Sequence, residues 1–242
     1  MKEEILLNFF LSAPQTCGYM ADRDSVSMFV DPNADMSSHL YTYLINQGFR
    51  RSADFVYRPH CADCKACIPV RVHAPLFKPS RSQKRIWNRN QDLSIYPTRP
   101  EFKQAHFLLY KKYLDSRHPE GEMSDHSEEQ YFNFVNSSWC PSILYEIHLK
   151  DKLLAVAIVD QINSGLSAFY TFFDPEEEKR SLGVFSVLVQ IEAVKTLNMA
   201  YLYLGYWIKE CQKMNYKSNY QPLEYFIDNH WQKKNDYFEL QR

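Results

Sequence analysis

Three β-like runs follow one another closely in the second half of the chain: Ile143–Leu149, Leu153–Ile162 and Leu166–Phe173. Turn residues at Lys150-Asp151 and Asn163-Ser164-Gly165 join them, and connections that short predict an antiparallel meander. Asp174-Pro175 ends the meander. A strongly apolar helical stretch, Leu182–Leu197, comes next, with Leu182, Phe185, Leu188, Val189, Glu192 and Ala193 on adjacent rows and Ser181 as its expected N-cap. Ala200–Tyr206 is a further, aromatic-rich strand. Strands, a helix and another strand in this order require a mixed α/β (α+β) domain built on one central sheet. The loop 174–181 then delivers Arg180 and Ser181 to a helix N-terminus. Free N–H groups and the helix dipole favour an anion or a carbonyl oxygen there.

With 242 residues the chain suits one large domain or two small ones. Residues 1–35 look irregular. A helix is expected over Ser38–Gln47, capped by Ser37 or Ser38, burying Leu40, Tyr43 and Leu44 and stopped by Gly48. Short strands are expected at Phe55–Arg58 and Ile68–His73, and a polar helix from Ser80 or Ser82 to Asn90. Ile95–Pro100, with two prolines, reads as a linker, so the expected division is 1–95 and 96–242. A helix over Glu101–Leu114 would bury Phe102, Ala105, Leu109 and Tyr113. Ser127 and Gln130 form a capping-box pair opening a helix with Tyr131, Phe134 and Val135. The tail from Trp207 has no clear pattern.

No apolar run approaches the roughly 18 residues of a membrane span, and the start Met1-Lys2-Glu3-Glu4 with Ile5–Leu11 lacks a signal-peptide cleavage site. A cytoplasmic protein with reduced cysteines is expected. The near-neutral net charge hides an asymmetry. Residues 1–100 carry 13 basic and 9 acidic side chains, whereas 101–242 carry 15 and 20. The basic half is the candidate for a polyanionic partner.

That charge concentrates in Gly48–Asn90, which has ten Lys and Arg against Asp54 and Asp63 after Phe49. Cys61, Cys64 and Cys67 fall within it. Three thiols on successive knuckles, with Cys17 as a fourth ligand or His60 as an alternative, suit zinc or an iron–sulfur cluster. The competing reading is a set of reduced thiols that shape a turn. Cys140 and Cys211 stand alone and read as core. Arg81, Arg85 and Arg89 recur every four residues beside Lys84, without interleaved acids, a row suited to nucleic-acid phosphates or to plain solvation. Arg50, Arg51, Tyr57 and Arg58 suit bidentate capture of a carboxylate, or equally internal ion pairs. His118, in a loop beside Arg117, is a candidate base. Tyr170, Asp174, Tyr203 and Tyr206 cluster near the helix start, where sheet packing accounts for most of them.

At these residues the chain resembles the aminoacyl-tRNA–protein transferases. The matching motifs are Cys17-Gly18-Tyr19, Gly48-Phe49-Arg50-Arg51-Ser52, Tyr57-Arg58-Pro59, the Cys61/Cys64/Cys67 run, and Gln83-Lys84-Arg85 with Arg89-Asn90. In the second half they are Arg117-His118, Phe173-Asp174-Pro175, Ser181-Leu182-Gly183-Val184 and Leu202–Lys217. The ordered set spans Cys17 to about residue 222. Compact length and overall likeness favour the short bacterial branch that transfers leucine, although the arginyl branch shares most motifs.

The resemblance implies transfer of leucine from leucyl-tRNA to the α-amino group of proteins beginning with Asp or Glu, which marks them for degradation. It implies an acetyltransferase-like fold centred on 173–206, with a smaller cysteine-containing N-terminal region. No cofactor is required for transfer, an iron–sulfur cluster or zinc being a separate question at the cysteines. The expected roles are tRNA contact for Arg81, Lys84, Arg85 and Arg89, and substrate binding for Arg50, Arg51, Tyr57 and Arg58. Arg180, Ser181 and Gly183 would orient the ester, and His118, Asp174 or Tyr206 would handle the proton. The competing classes are a non-catalytic RNA-binding module with structural zinc, and a redox sensor built on the cysteines.

Overall fold

The computed structural model describes residues 6–117 and 126–233. In chain order, short strands β1 (Phe9–Leu11), β2 (Gln15–Thr16), β3 (Asp24–Ser25) and β4 (Ser27–Val30) precede α1 (Ser38–Asn46). A hairpin of β5 (Arg50–Ser52) and β6 (Phe55–Pro59) follows, then β7 (Ile68–His73), α2 (Arg81–Arg89) and β8 (Ser94–Thr98). Next come α3 (Gln104–Arg117) and α4 (Glu128–Val135), then the meander of β9 (Ser142–Leu149), β10 (Lys152–Ile162) and β11 (Gly165–Phe173). The chain continues with α5 (Leu182–Thr196), β12 (Tyr201–Trp207), α6 (Gln212–Asn215), and a last hairpin of β13 (Leu223–Ile227) and β14 (His230–Lys233).

Eight strands form the main sheet in the order β14-β13-β7-β12-β11-β10-β9-β8, and β1-β4-β6-β5 form a smaller one. The mixed α/β class expected from the sequence is therefore present. β11 and β12 are parallel because α5 carries the chain back across the sheet between them. They pair only from Gly165–Ser167 to Tyr201–Tyr203 and then separate. Gly165 is required at that start, since a Cβ there would lie 1.9 Å from the Tyr201 carbonyl oxygen.

Strand periodicity decides which helix covers which face. On β10, Ala155, Ala157 and Val159 pack with Leu182, Phe185, Leu188 and Ile191 of α5. The alternate residues Val156 and Ile158 pack with Leu109, Tyr110 and Leu114 of α3 and with Tyr131 and Val135 of α4. Leu40, Tyr41, Leu44 and Ile45 of α1 close a third core with Val30, Val56, Ile162 and Tyr203, joining the two sheets.

Several expectations are corrected. Residues 1–35 are not irregular throughout, since they supply four short strands. The expected linker is β8, an edge strand on β9 in which Pro97 opposes Tyr145, a position where a missing N–H is tolerated. α3 begins three residues later than expected and buries His106, Leu109, Tyr110 and Leu114, leaving Phe102 exposed before it. In α1 it is Tyr41, not Tyr43, that is buried. Ser181 precedes α5 but makes no side-chain cap; it adopts a left-handed conformation, φ 54°. The unassigned tail supplies β13, which pairs with β7, so the main sheet draws strands from both sides of residue 95.

Candidate active site

A cavity of about 1290 Å³ opens where the two sheets meet. Its walls come from β6, the turn at Cys17–Tyr19, the knuckles between β6 and β7, and the ends of β12 and β13. Tyr57, Arg58, Cys67, Tyr19 and Tyr206 all line it. The sequence places them there by register. Arg58 lies opposite Met28 and Tyr57 lies opposite Phe29 on one side and Arg50 on the other.

Arg58 donates from Nη1 to the Gln47 carbonyl oxygen at 3.3 Å and lies 4.9 Å from the centre of the Phe49 ring. Among the described residues no carboxylate forms an ion pair with it, so its charge is available to the cavity. Tyr206 donates its hydroxyl to the Gly48 carbonyl at 3.0 Å, and burial raises its pKa well above the ordinary phenol value. Tyr19 is pushed up to about 12, first by burial and then by Tyr57 and Cys67. These tyrosines are neutral walls at physiological pH.

Behind the wall lies Arg50. It donates from Nη1 to Ser167 Oγ at 2.8 Å and from Nη2 to the Ala168 carbonyl, at the point where β11 leaves β12. Gly205 packs beside it with φ +76°, a left-handed backbone that favours glycine, and a Cβ there would meet Arg50 Nε at an ordinary contact distance of 3.4 Å. Arg51 is different. It holds Asp160 with two hydrogen bonds, Nη2 to Oδ1 at 2.5 Å and Nε to Oδ2 at 2.8 Å, and both side chains are fully buried. Its guanidinium lies 3.9 Å from the Phe169 ring centre. Of the two readings open in the sequence, Arg51 thus has the internal ion pair, and no face of it is left for a substrate.

Cys17, Cys61, Cys64 and Cys67 are free, half-buried, and all line the cavity. Burial pushes the Cys67 thiol up to about 12, and the neighbouring Cys17, Cys64 and Cys61 add to that shift. Their donor type suits zinc or an iron–sulfur cluster. Yet among the described residues no three His, Cys, Asp or Glu side chains converge as metal ligands do. A metal would require the thiols to ionise and close in.

The other predicted residues lie outside the cavity lining. Asp174 is clamped by Lys112 at 2.7 Å and Lys152 at 2.9 Å. Burial alone would raise its carboxyl, but those hydrogen bonds hold it below the ordinary range. A carboxylate so paired anchors the β11–α5 junction and is a poor proton carrier. Arg180 makes a fork with Asp92, both contacts 2.9 Å, and meets Glu177 at 3.2 Å. Gly183 lets α5 approach Phe173, whose ring carbon would lie 3.2 Å from a Cβ. His118 lies outside the described residues.

On α2, Ser80 and Gln83 form a capping box, and Gln83 also donates to the Asn219 carbonyl at 3.1 Å. The helix thereby lies against α5 with Arg81, Lys84 and Arg85 exposed and without acidic partners among the described residues. Its C-terminal end docks on the Lys179–Arg180 turn: Arg89 donates to the Lys179 carbonyl and Asn90 Nδ2 to the Arg180 carbonyl at 2.9 Å. The basic row and the start of α5, far apart in sequence, are thus neighbours.

Two family models match the chain: arginine-tRNA-protein transferase, N terminus, over residues 15–85, and arginine-tRNA-protein transferase, C terminus, over residues 105–227. The chain belongs to the arginine-tRNA–protein transferase family. Among curated members of this family's kind, the aspartate/glutamate leucyltransferase of Nitrosococcus oceani is 48% identical over 93% of this chain and 94% of its own length. That of Alcanivorax borkumensis is 47% identical over 95% of each chain. That of Pseudomonas fluorescens is 44% identical over 96% of this chain and 98% of its own. Family membership makes this protein an aminoacyltransferase that uses an aminoacyl-tRNA and a protein acceptor. Within it, the sequence reasoning missed Lys217 and Asp160. Asp160 had a signal, a lone acid in an apolar strand; Lys217 closes the Leu202–Lys217 motif, but nothing in its polar surroundings marks it as buried.

Proposed function

We propose that the protein transfers leucine from leucyl-tRNA to the α-amino group of proteins whose first residue is Asp or Glu, in the cytoplasm, so marking them for degradation. Relatives bearing that activity in their name, 44–48% identical over nearly the full length, carry the proposal. The cavity supports it physically: Arg58, in no ion pair among the described residues, offers its guanidinium to an acidic side chain in a cavity that Tyr19, Tyr57 and Tyr206 also line.

The chemistry asks little of the protein beyond placement. The aminoacyl ester is already activated. The acceptor amine, with an ordinary pKa near 8, loses a proton and attacks the ester carbonyl carbon. The tetrahedral intermediate collapses, the C–O bond to the tRNA 3′ oxygen breaks, and that oxygen takes up a proton. Holding amine and ester together supplies much of the rate. Arg81, Lys84 and Arg85 would hold tRNA phosphates.

The test pairs radiolabelled leucyl- and arginyl-tRNA with peptides beginning Asp, Glu or Lys. Incorporation of leucine into the Asp and Glu peptides alone is expected. Transfer of arginine instead, or no transfer, would overturn the proposal.

A further inference from the structure

Lys217 is the only lysine among the described residues that is buried. It follows α6, and its Nζ donates to the Tyr206 carbonyl at 2.5 Å and to Met214 Sδ at 3.5 Å. The charged and titratable groups that act on it are Arg50, Cys211 and Cys67. No carboxylate among the described residues forms an ion pair with either Lys217 or Arg50. Two basic side chains are therefore buried near one another with backbone carbonyls, a hydroxyl and a thioether as their partners. Such an arrangement is costly unless a negative charge joins it.

The position of the pair indicates which charge. Tyr57 and Tyr206, which line the cavity, both feel Arg50, and Cys67, which lines it too, feels Lys217. The cations thus sit behind the cavity wall, and in that low-dielectric surrounding their field reaches into it. Resting on the acceptor reading above, we infer that Lys217, with Arg50, is a specificity-determining residue that favours an acceptor whose first side chain is a carboxylate. Arg58 is the group that touches that carboxylate; Lys217 and Arg50 act on it through the wall. Burial and Arg50 draw the Lys217 ammonium down to about 7, and a carboxylate in the cavity restores its charge.

The test compares peptides beginning Asp and Asn, which differ in charge but little in shape, using leucyl-tRNA and the full-length chain. In Lys217→Met the kcat/KM for the Asp peptide should fall about tenfold more than that for the Asn peptide, the scale of one partly screened unit charge. Lys217→Arg should recover most of the discrimination. A folded Lys217→Met variant with an unchanged Asp/Asn ratio, or equal loss on both peptides, overturns the inference. Should Lys217→Met fail to fold, the unmodified protein decides. Buried charges are screened little by salt, so its Asp/Asn ratio should change less than about twofold between 50 and 500 mM KCl. Collapse of the ratio over that range would mean that exposed charge alone selects. Failure of the unmodified protein to use either peptide would overturn the acceptor reading, and this inference with it.

Discussion

Arg50 and Arg51 are adjacent, alike in chemistry, and alternate in β5, so their side chains must take opposite faces. One face meets Asp160, 109 residues on, and the other meets the fork of β11 and β12. Nothing within the Arg-Arg pair distinguishes the two; the distinction lies in distant partners, which is why the sequence alone left both readings open. The Arg51–Asp160 pair predicts a measurable cost: Asp160→Asn should destabilise the protein by about 3–5 kcal/mol in urea unfolding, because it leaves a buried guanidinium uncompensated. A loss below about 1 kcal/mol would contradict so complete a burial. Glu146 offers a pH test. It accepts from Lys103 at 2.5 Å, and His106 and His148 lie 3.1 and 3.0 Å from its oxygens. Burial opposes its ionisation, but hydrogen bonds from Lys103 and His148 prevail and draw the carboxyl down to about 2. Its stabilisation is therefore complete above the ordinary carboxylate value near 4.3 and is lost as pH falls from there through about 2. His106, lowered chiefly by burial, also binds its proton less readily when folded, so stability declines further below about 6.5. Melting curves should show Tm falling across both ranges, and Glu146→Gln should make the lower one shallower. An unchanged acid limb in that variant would refute the assignment.

Elements with a full period were legible. α5 and the strands β9 to β11 lie within a residue of where apolar pattern and turn residues put them, since both faces of that part of the sheet are buried. Elements that depend on a partner were not. β8 carries Pro97 at an edge position with Pro100 just beyond its end, and β13 becomes a strand by pairing with β7, some 150 residues earlier. α2 was legible because its signal is local: the serines at its start and the four-residue spacing of its arginines fall within eleven residues. Its exposed basic face supports a prediction at this scale. Arg85→Glu should weaken binding of any charged tRNA and lower the slope of log affinity against log salt by about one or more. An unchanged slope would remove α2 from the tRNA surface.

At the scale of the molecule, the site is a property of the junction between two sheets. β6 and the cysteine knuckles come from the first hundred residues, whereas Tyr206 and Lys217 come from the last fifty. Tyr57 and Arg58 line the cavity, and they stand out in the sequence because an aromatic and a cationic residue adjoin there in a short strand. Lys217 does not, because its burial depends on α6 and the following turn returning beneath β12. Asp174 and Arg180, which stood out beside a helix start, proved to be engaged with Lys112, Lys152 and Asp92 in holding α5 to the sheet. Arg58 in this junction is the residue proposed to receive the acidic first residue of the acceptor, apart from the basic face of α2 proposed to hold tRNA. Kinetics of Arg58→Ala with an Asp peptide, together with leucyl-tRNA binding by the same variant, test it most directly. The prediction is a loss of kcat/KM for the peptide of roughly 10- to 100-fold, the worth of a charged hydrogen bond, with tRNA affinity unchanged. Equal loss of peptide use and tRNA binding, or loss of neither, would contradict it.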